Sequence, residues 1–116
     1  MILEIQYYQT STGAKPFVRW FENLDDRQAC IRIDARLSRV AVGNLGDVRS
    51  VGNGVLELRI HWGPGYRVYI ARRGEFVILL LCAGDQRTQQ RDIQRAKTYL
   101  KDYDARIQPQ APRNGT

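Results

Sequence analysis

The chain has 116 residues, 43% of them hydrophobic and 26% charged, which suits one globular domain with a single core and leaves too little chain for two. Lysine and arginine outnumber aspartate and glutamate 18 to 12, a net charge of +6, and a basic protein this small points to a polyanion, either nucleic acid or an acidic protein partner. The opening MILEIQYY has no charged region followed by a long apolar run, and FVILLLCAG is too short to cross a bilayer, so a secretory signal and a membrane partner are not expected and a cytoplasmic location is.

Residues 2–8, ILEIQYY, read as a first strand, and the turn-rich QTSTGAK follows. A first helix begins at Pro16, with Phe17, Trp20, Phe21 and Leu24 at helical spacing. Asp25 is placed to cap a second helix, with Gln28 completing a capping box. Cys30, Ile33, Leu37 and Val40 continue it as an apolar stripe until Gly43-Asn44. Its other side carries Arg32, Arg36 and Arg39, the pattern of a solvated face that a polyanion can also touch.

DVRSVGNGVLELRIHW gives a short strand, a Gly-Asn-Gly turn and a second strand, and GPG leads into a third, YRVYI. Across that hairpin Glu57, Arg59, His61, Arg67 and Tyr69 alternate with Leu58, Ile60, Val68 and Ile70, one polar and one apolar face. A three-residue Gly63-Pro64-Gly65 loop, or a bulged equivalent, keeps both faces consistent and pairs His61 with Arg67 and Arg59 with Tyr69. A two-residue Arg73-Gly74 turn then puts Val77 and Leu79 on the face of Val68 and Ile70, with Ile78 and Leu80 beside Arg67 and Tyr69. Thr88 is placed to cap a last helix whose stripe is Ile93, Ala96, Leu100 and Tyr103, a cover for that second face.

The fold class is therefore α+β, in the order β-α-α-β-β-β-β-α. A small, twisted, mostly antiparallel sheet is expected with the two N-terminal helices packed on one face and the first strand free to join in parallel. Residues 1–107 form the single domain, and the tail 108–116 has the composition of a disordered segment.

Arginine on a basic sheet face supplies planar donors for phosphate oxygens, and a tyrosine ring can stack on an unpaired base. Attack of a ribose 2′-hydroxyl on the adjacent phosphorus needs a base, an acid and positive charge at the phosphorane. Arg59 and Arg67 suit the charge role but not that of base, since a guanidinium stays protonated. His61, the only histidine in the chain, is the acid or base by elimination. The acidic residues show no close pairing of the kind a Mg²⁺ site uses, and Cys30 and Cys82 have no CxxC spacing, so neither metal nor cofactor is expected. GDQRTQQ, residues 84–90, opens a helix beside Arg87, as a plain cap or as a phosphate contact.

Together, GNLGDVRSVGNGVLELRIHWGPGYRVYI and VILLLCAGDQRTQQRDIQRAK closely resemble the addiction-module killer proteins, a HigB-like branch of the RelE/ParE superfamily of bacterial toxins, over residues 3–104. The resemblance rests on ELRI, GPGYRVY and TQxxDIxxA taken together. It implies a toxin silenced by a cognate helix-turn-helix antitoxin, reaching operator DNA only through it. In many RelE-like members it further implies ribosome-dependent cleavage of mRNA by basic residues on the exposed sheet face. Carried over by motif position, Arg59 and Arg67 are the principal site residues, with His61 in the catalytic set and Tyr69, Arg87 and Lys97 as substrate contacts. Ala83-Gly84-Asp85-Gln86 departs from the family's usual Gly-Gly-Asp-Lys, leaving no lysine at 86, and the His61 position is compatible with aspartate in the family pattern. ParE-like relatives instead inhibit DNA gyrase by binding alone, and a degenerate member that only binds antitoxin is the third reading.

Overall fold

The computed structural model describes residues 2–107, so the tail read as disordered lies outside the described residues. The elements are β1 (Glu4–Tyr7), α1 (Pro16–Glu22), α2 (Arg27–Ala41), β2 (Val48–Gly52), β3 (Val55–Ile60), β4 (Tyr66–Arg73), β5 (Val77–Asp85), a one-turn 3-10 helix (Gln86–Thr88) and α3 (Gln89–Ile107). The class is α+β, as the sequence pattern predicts, with the 3-10 turn as an addition between the last strand and the last helix. Five strands lie in the order β1-β5-β4-β3-β2. Every neighbouring pair is antiparallel except β1 with β5, which is parallel.

The sheet separates two cores. On one side Phe17 of α1 and Ala29, Ile33, Leu37 and Val40 of α2 pack on Leu58, Ile60, Val68, Ile70, Ile78 and Leu80. On the other, Ile93, Ala96 and Leu100 of α3 cover Val55, Tyr69, Ala71, Leu79 and Leu81. The even residues of β3 and β4 thus face the N-terminal helices and the odd ones face α3, as strand geometry requires.

Register departs from expectation at both hairpins. Leu58 pairs with Val68, Arg59 with Arg67 and Glu57 with Tyr69, two residues away from the pairing a three-residue loop gives. The reason is a longer connection, His61–Gly65, folded on itself by bonds from the Trp62 N–H to the Ile60 carbonyl and from the Gly65 N–H to the Trp62 carbonyl. A shift of two preserves the faces. Between β4 and β5, Arg73 pairs with Val77, and a bulge lies opposite the Tyr69–Ile70 step, where the partners jump from Cys82 to Leu80. The longer turn puts Ile78 and Leu80, not Val77 and Leu79, on the face of Val68 and Ile70; the bulge then realigns the end of β5.

Both caps differ from expectation. Asp26, rather than Asp25, accepts the Ala29 N–H at 3.0 Å to start α2. Asp85 with Thr88 forms the capping box of the 3-10 turn that leads into α3. Gly84 has no room for a side chain: a Cβ there would stand 1.8 Å from Asp92 Oδ2 and 2.7 Å from Thr88 Oγ1. The DQRTQQRDI segment is therefore first of all the joint that seats α3 against β5.

Candidate nucleic-acid interface

Two successive rows of side chains cross the α3 face. The first runs Arg49, Glu57, Tyr69 and Cys82 from β2 to β5. Glu57 and Tyr69 are wholly buried. Glu57 Oε2 accepts from the Tyr69 hydroxyl at 3.0 Å and from Gln89 Nε2 at 2.8 Å, whereas Oε1 has no hydrogen bond and only Arg49 Nε at 3.7 Å. Burial, and then the Glu57 charge, push the Tyr69 hydroxyl far above its ordinary value, so it stays a phenol donor. The Tyr69 ring is accordingly not offered to a base; the polar alternation that placed it on a binding surface continues beneath α3.

The second row is Asp47, Arg59, Arg67 and Gly84. The Arg59 N–H bonds the Asp47 carbonyl at 3.0 Å, and Arg67 stands opposite both Arg59 and Gly84. At its Gly84 end this row runs under Thr88 and Asp92; from there Gln89 reaches Glu57, and Lys97 and Leu100 approach Gly52 and Gly54, so the helix proceeds towards the β2–β3 turn and Arg59 is left half exposed. Two guanidiniums directly opposite one another are unfavourable. Arg59 is compensated by Asp47 Oδ1 at 3.1 Å from Nη2; Arg67 has no acidic partner among the described residues. The Nε atoms of both arginines are buried without an acceptor, which costs about 1–3 kcal/mol for each such donor.

His61 lies just beyond β3, not in it, and its side chain is 74% exposed. Asp47 Oδ2 meets its Nε2 at 2.5 Å. The bonds from His61 and Arg59 hold the Asp47 carboxyl below its usual value, so it is the acceptor and His61 Nε2 the donor. Asp47, absent from the sequence-based set, therefore joins Arg59 and His61; its only sequence signal is an acid standing just before an edge strand.

Arg87 is engaged by Asp85 at the end of β5, and Lys97 stands apart from this cluster. Arg87, with an 80% exposed side chain, forks onto Asp85, with Nη2 2.9 Å from Oδ2. Lys97 lies beside the β2–β3 turn, where its Nζ would be 3.3 Å from a Cβ on Gly52, at the opposite end of β3 from Arg59. Arg36, read as solvated, is buried. It donates from Nε to the Leu45 carbonyl, from Nη2 to that of Asp47 and from Nη1 to that of Arg59, at 2.9, 2.6 and 2.7 Å, fixing the loop that carries Asp47. Among the described residues no three His, Cys, Asp or Glu side chains gather to hold a metal ion, and no helix is long and apolar enough to cross a membrane.

No family model matches the chain. A Haemophilus influenzae protein, described as an uncharacterized protein, is 44% identical over 86 residues, which span 74% of this chain and 87% of that protein.

Proposed function

The chain belongs to the family of this Haemophilus influenzae relative, and we propose that it is the toxin of a toxin–antitoxin module, a ribosome-dependent mRNA endonuclease. The observation that carries the reading is the facing pair Arg59 and Arg67, both half-buried, of which Arg67 has no acidic partner among the described residues. A fold with no anion to bind gains nothing from such a pair, whereas a phosphodiester on the half-exposed guanidinium edges supplies the compensating charge.

In the proposed reaction the ribose 2′-oxygen bonds to the adjacent phosphorus as the bond to the 5′-oxygen of the next nucleotide breaks. A 2′,3′-cyclic phosphate and a 5′-hydroxyl result. His61 Nδ1 takes the 2′-hydroxyl proton, with Asp47 holding the ring through Nε2, and water protonates the departing oxygen. Arg67 and Arg59 stabilise the charge of the phosphorane. A ribosome-bound message arrives already oriented, which matters for a site whose base is this exposed. The cognate partner is a helix-turn-helix antitoxin, and the site of action is the cytoplasm.

The test is induction without antitoxin, with mapping of RNA 5′ ends and an assay of plasmid supercoiling. Cuts within codons of translated messages, absent with Arg67→Ala, support the endonuclease. Growth arrest with intact messages and inhibited supercoiling refutes it in favour of gyrase inhibition, and normal growth with abundant toxin refutes both.

A further inference from the structure

Between α2 and the end of β3 lies a hollow of about 230 Å³ whose polar lining is Arg32, Arg36, Arg39, Arg59 and His61. It is smaller than the roughly 300–1,000 Å³ of sites that enclose a drug-sized ligand, a size for a phosphate group rather than a whole nucleotide. Its charge is not neutralised from within. Arg36 spends its donors on three carbonyl oxygens and no carboxylate, so a full positive charge stays fixed in the floor. The acids nearby are both engaged: Asp47 has one oxygen on Arg59 and one on His61, and Asp26, which attracts Arg32, accepts from the Ala29 N–H and from Trp62 Nε1. Arg39 is exposed at the rim. Arg32, also exposed, rests its guanidinium 3.9 Å from the centre of the Trp62 ring rather than on a carboxylate. That ring is held by a bond from Nε1 to Asp26 Oδ2 at 2.9 Å. Burial and the neighbouring charge of Arg39 both depress the Arg36 pKa, as a concentration of positive charge requires.

We infer that this hollow is a second phosphate subsite, formed by Arg32 and Arg39 over Arg36, which takes the phosphodiester adjacent to the one on Arg59 and Arg67 as a single-stranded RNA crosses the end of β3. The inference rests on the endonuclease reading and extends it. Arg59 borders both places, with its guanidinium on the α3 face beside Asp47 and its carbonyl held by Arg36 from the α2 side. An extended strand passing His61 therefore meets arginines before and after it. The substrate class is then a strand of at least two consecutive phosphates, and His61 stands between the two anion sites rather than at the margin of one.

The test uses the full chain and an uncleavable 2′-O-methyl RNA hexamer, with a dinucleotide carrying one phosphodiester as control. Binding is measured against salt, and the Trp62 indole N–H is followed by NMR. The hexamer is expected to shift the Trp62 resonance by drawing Arg32 from the ring. Arg32→Gln with Arg39→Gln should flatten the log–log salt slope by about 0.7, the value for one lost phosphate contact on a single strand, and leave dinucleotide binding unchanged. Lysine at both positions should restore the slope. Both side chains are exposed, so folding is retained, and circular dichroism verifies it. A glutamine double variant with wild-type hexamer affinity and slope, beside an Arg67→Met variant that has lost both, overturns the subsite and leaves the endonuclease standing. Failure of the wild-type protein to bind the hexamer at low salt overturns the subsite, while the endonuclease reading falls only if translated messages also stay intact on induction.

Discussion

Replacing Arg67 by methionine is expected to make the protein more stable while removing its activity. Methionine keeps a long apolar stem against the sheet but has neither the charge opposite Arg59 nor the buried Nε that lacks an acceptor. Two unit charges about 6 Å apart repel by about 0.7 kcal/mol at the dielectric of water, and by more as water is excluded. Relief of an orphaned donor adds about 1 kcal/mol. The sum, about 1–2 kcal/mol, should raise the midpoint of thermal unfolding by at least about 4 °C in a domain of this size. Cleavage on programmed ribosomes should fall roughly 10²- to 10³-fold, the usual loss of one electrostatic donor. Urea and thermal unfolding followed by circular dichroism, with single-turnover cleavage on the same preparations, decide the matter. A variant destabilised by 1 kcal/mol or more would show that Arg67 holds the fold together, and a wild-type cleavage rate would remove it from the chemistry.

Gly84→Ala must displace Thr88 or Asp92, because the added carbon meets the Asp92 carboxylate at 1.8 Å; a loss of about 1–3 kcal/mol in urea unfolding is expected, and a neutral effect would mean α3 is not seated as described. Tyr69→Phe removes one of the two donors to Glu57 Oε2 and should cost about 1–3 kcal/mol while leaving the cleavage rate of the folded protein unchanged; a large rate loss would return Tyr69 to the substrate. Asp26, Asp47, Asp85 and Asp102 are all held below the ordinary carboxylate value of 3.8, chiefly by bonds from the Ala29 N–H, His61, Arg87 and Tyr8 respectively. Lowered folded-state values stabilise the protein above the unfolded value, and that contribution is lost as pH falls through them. Urea midpoints should therefore be level near neutrality and decline below about pH 4, less steeply in Asp47→Asn, and a flat profile to pH 2 would refute the carboxylate pairings. Gln86→Lys, which restores the residue usual in the resembled toxins, should steepen the salt dependence of RNA binding by about 0.7 in log–log slope; an unchanged slope places position 86 outside the strand's path.

The order of elements was legible because each has a clean period: Phe17, Trp20 and Phe21 in one helix, Ile33, Leu37 and Val40 in the next, and alternation through β3 and β4. Register was not, because it depends on how far the chain runs before turning; a GPG triplet inside a five-residue connection gives the same faces as a three-residue loop. Burial of the polar residues was hidden for a related reason. Alternation puts Glu57, Arg59, Arg67 and Tyr69 on one face, but the path of α3 from Gln89 over Glu57 divides that face into a fully buried pair, Glu57 and Tyr69, and a half-buried one, Arg59 and Arg67. Arg36 sits at the same helical spacing as the exposed Arg32 and Arg39, and only the path of the 45–47 loop reveals that its guanidinium is enclosed.

The parallel pair of β1 with β5 ties Glu4 to Val77 and Tyr7 to Leu80, so the first strand of the sheet in chain order waits for the last. During translation the arginines of β3 and β4 leave the ribosome well before Gln89, and until Gln89 follows, Glu57 lacks one of its two donors. A nascent chain therefore carries the basic residues of the site without the helix that gives them their setting. The site is therefore complete only once α3 has been made, and a chain cut short before α3 inherits the charge without the architecture.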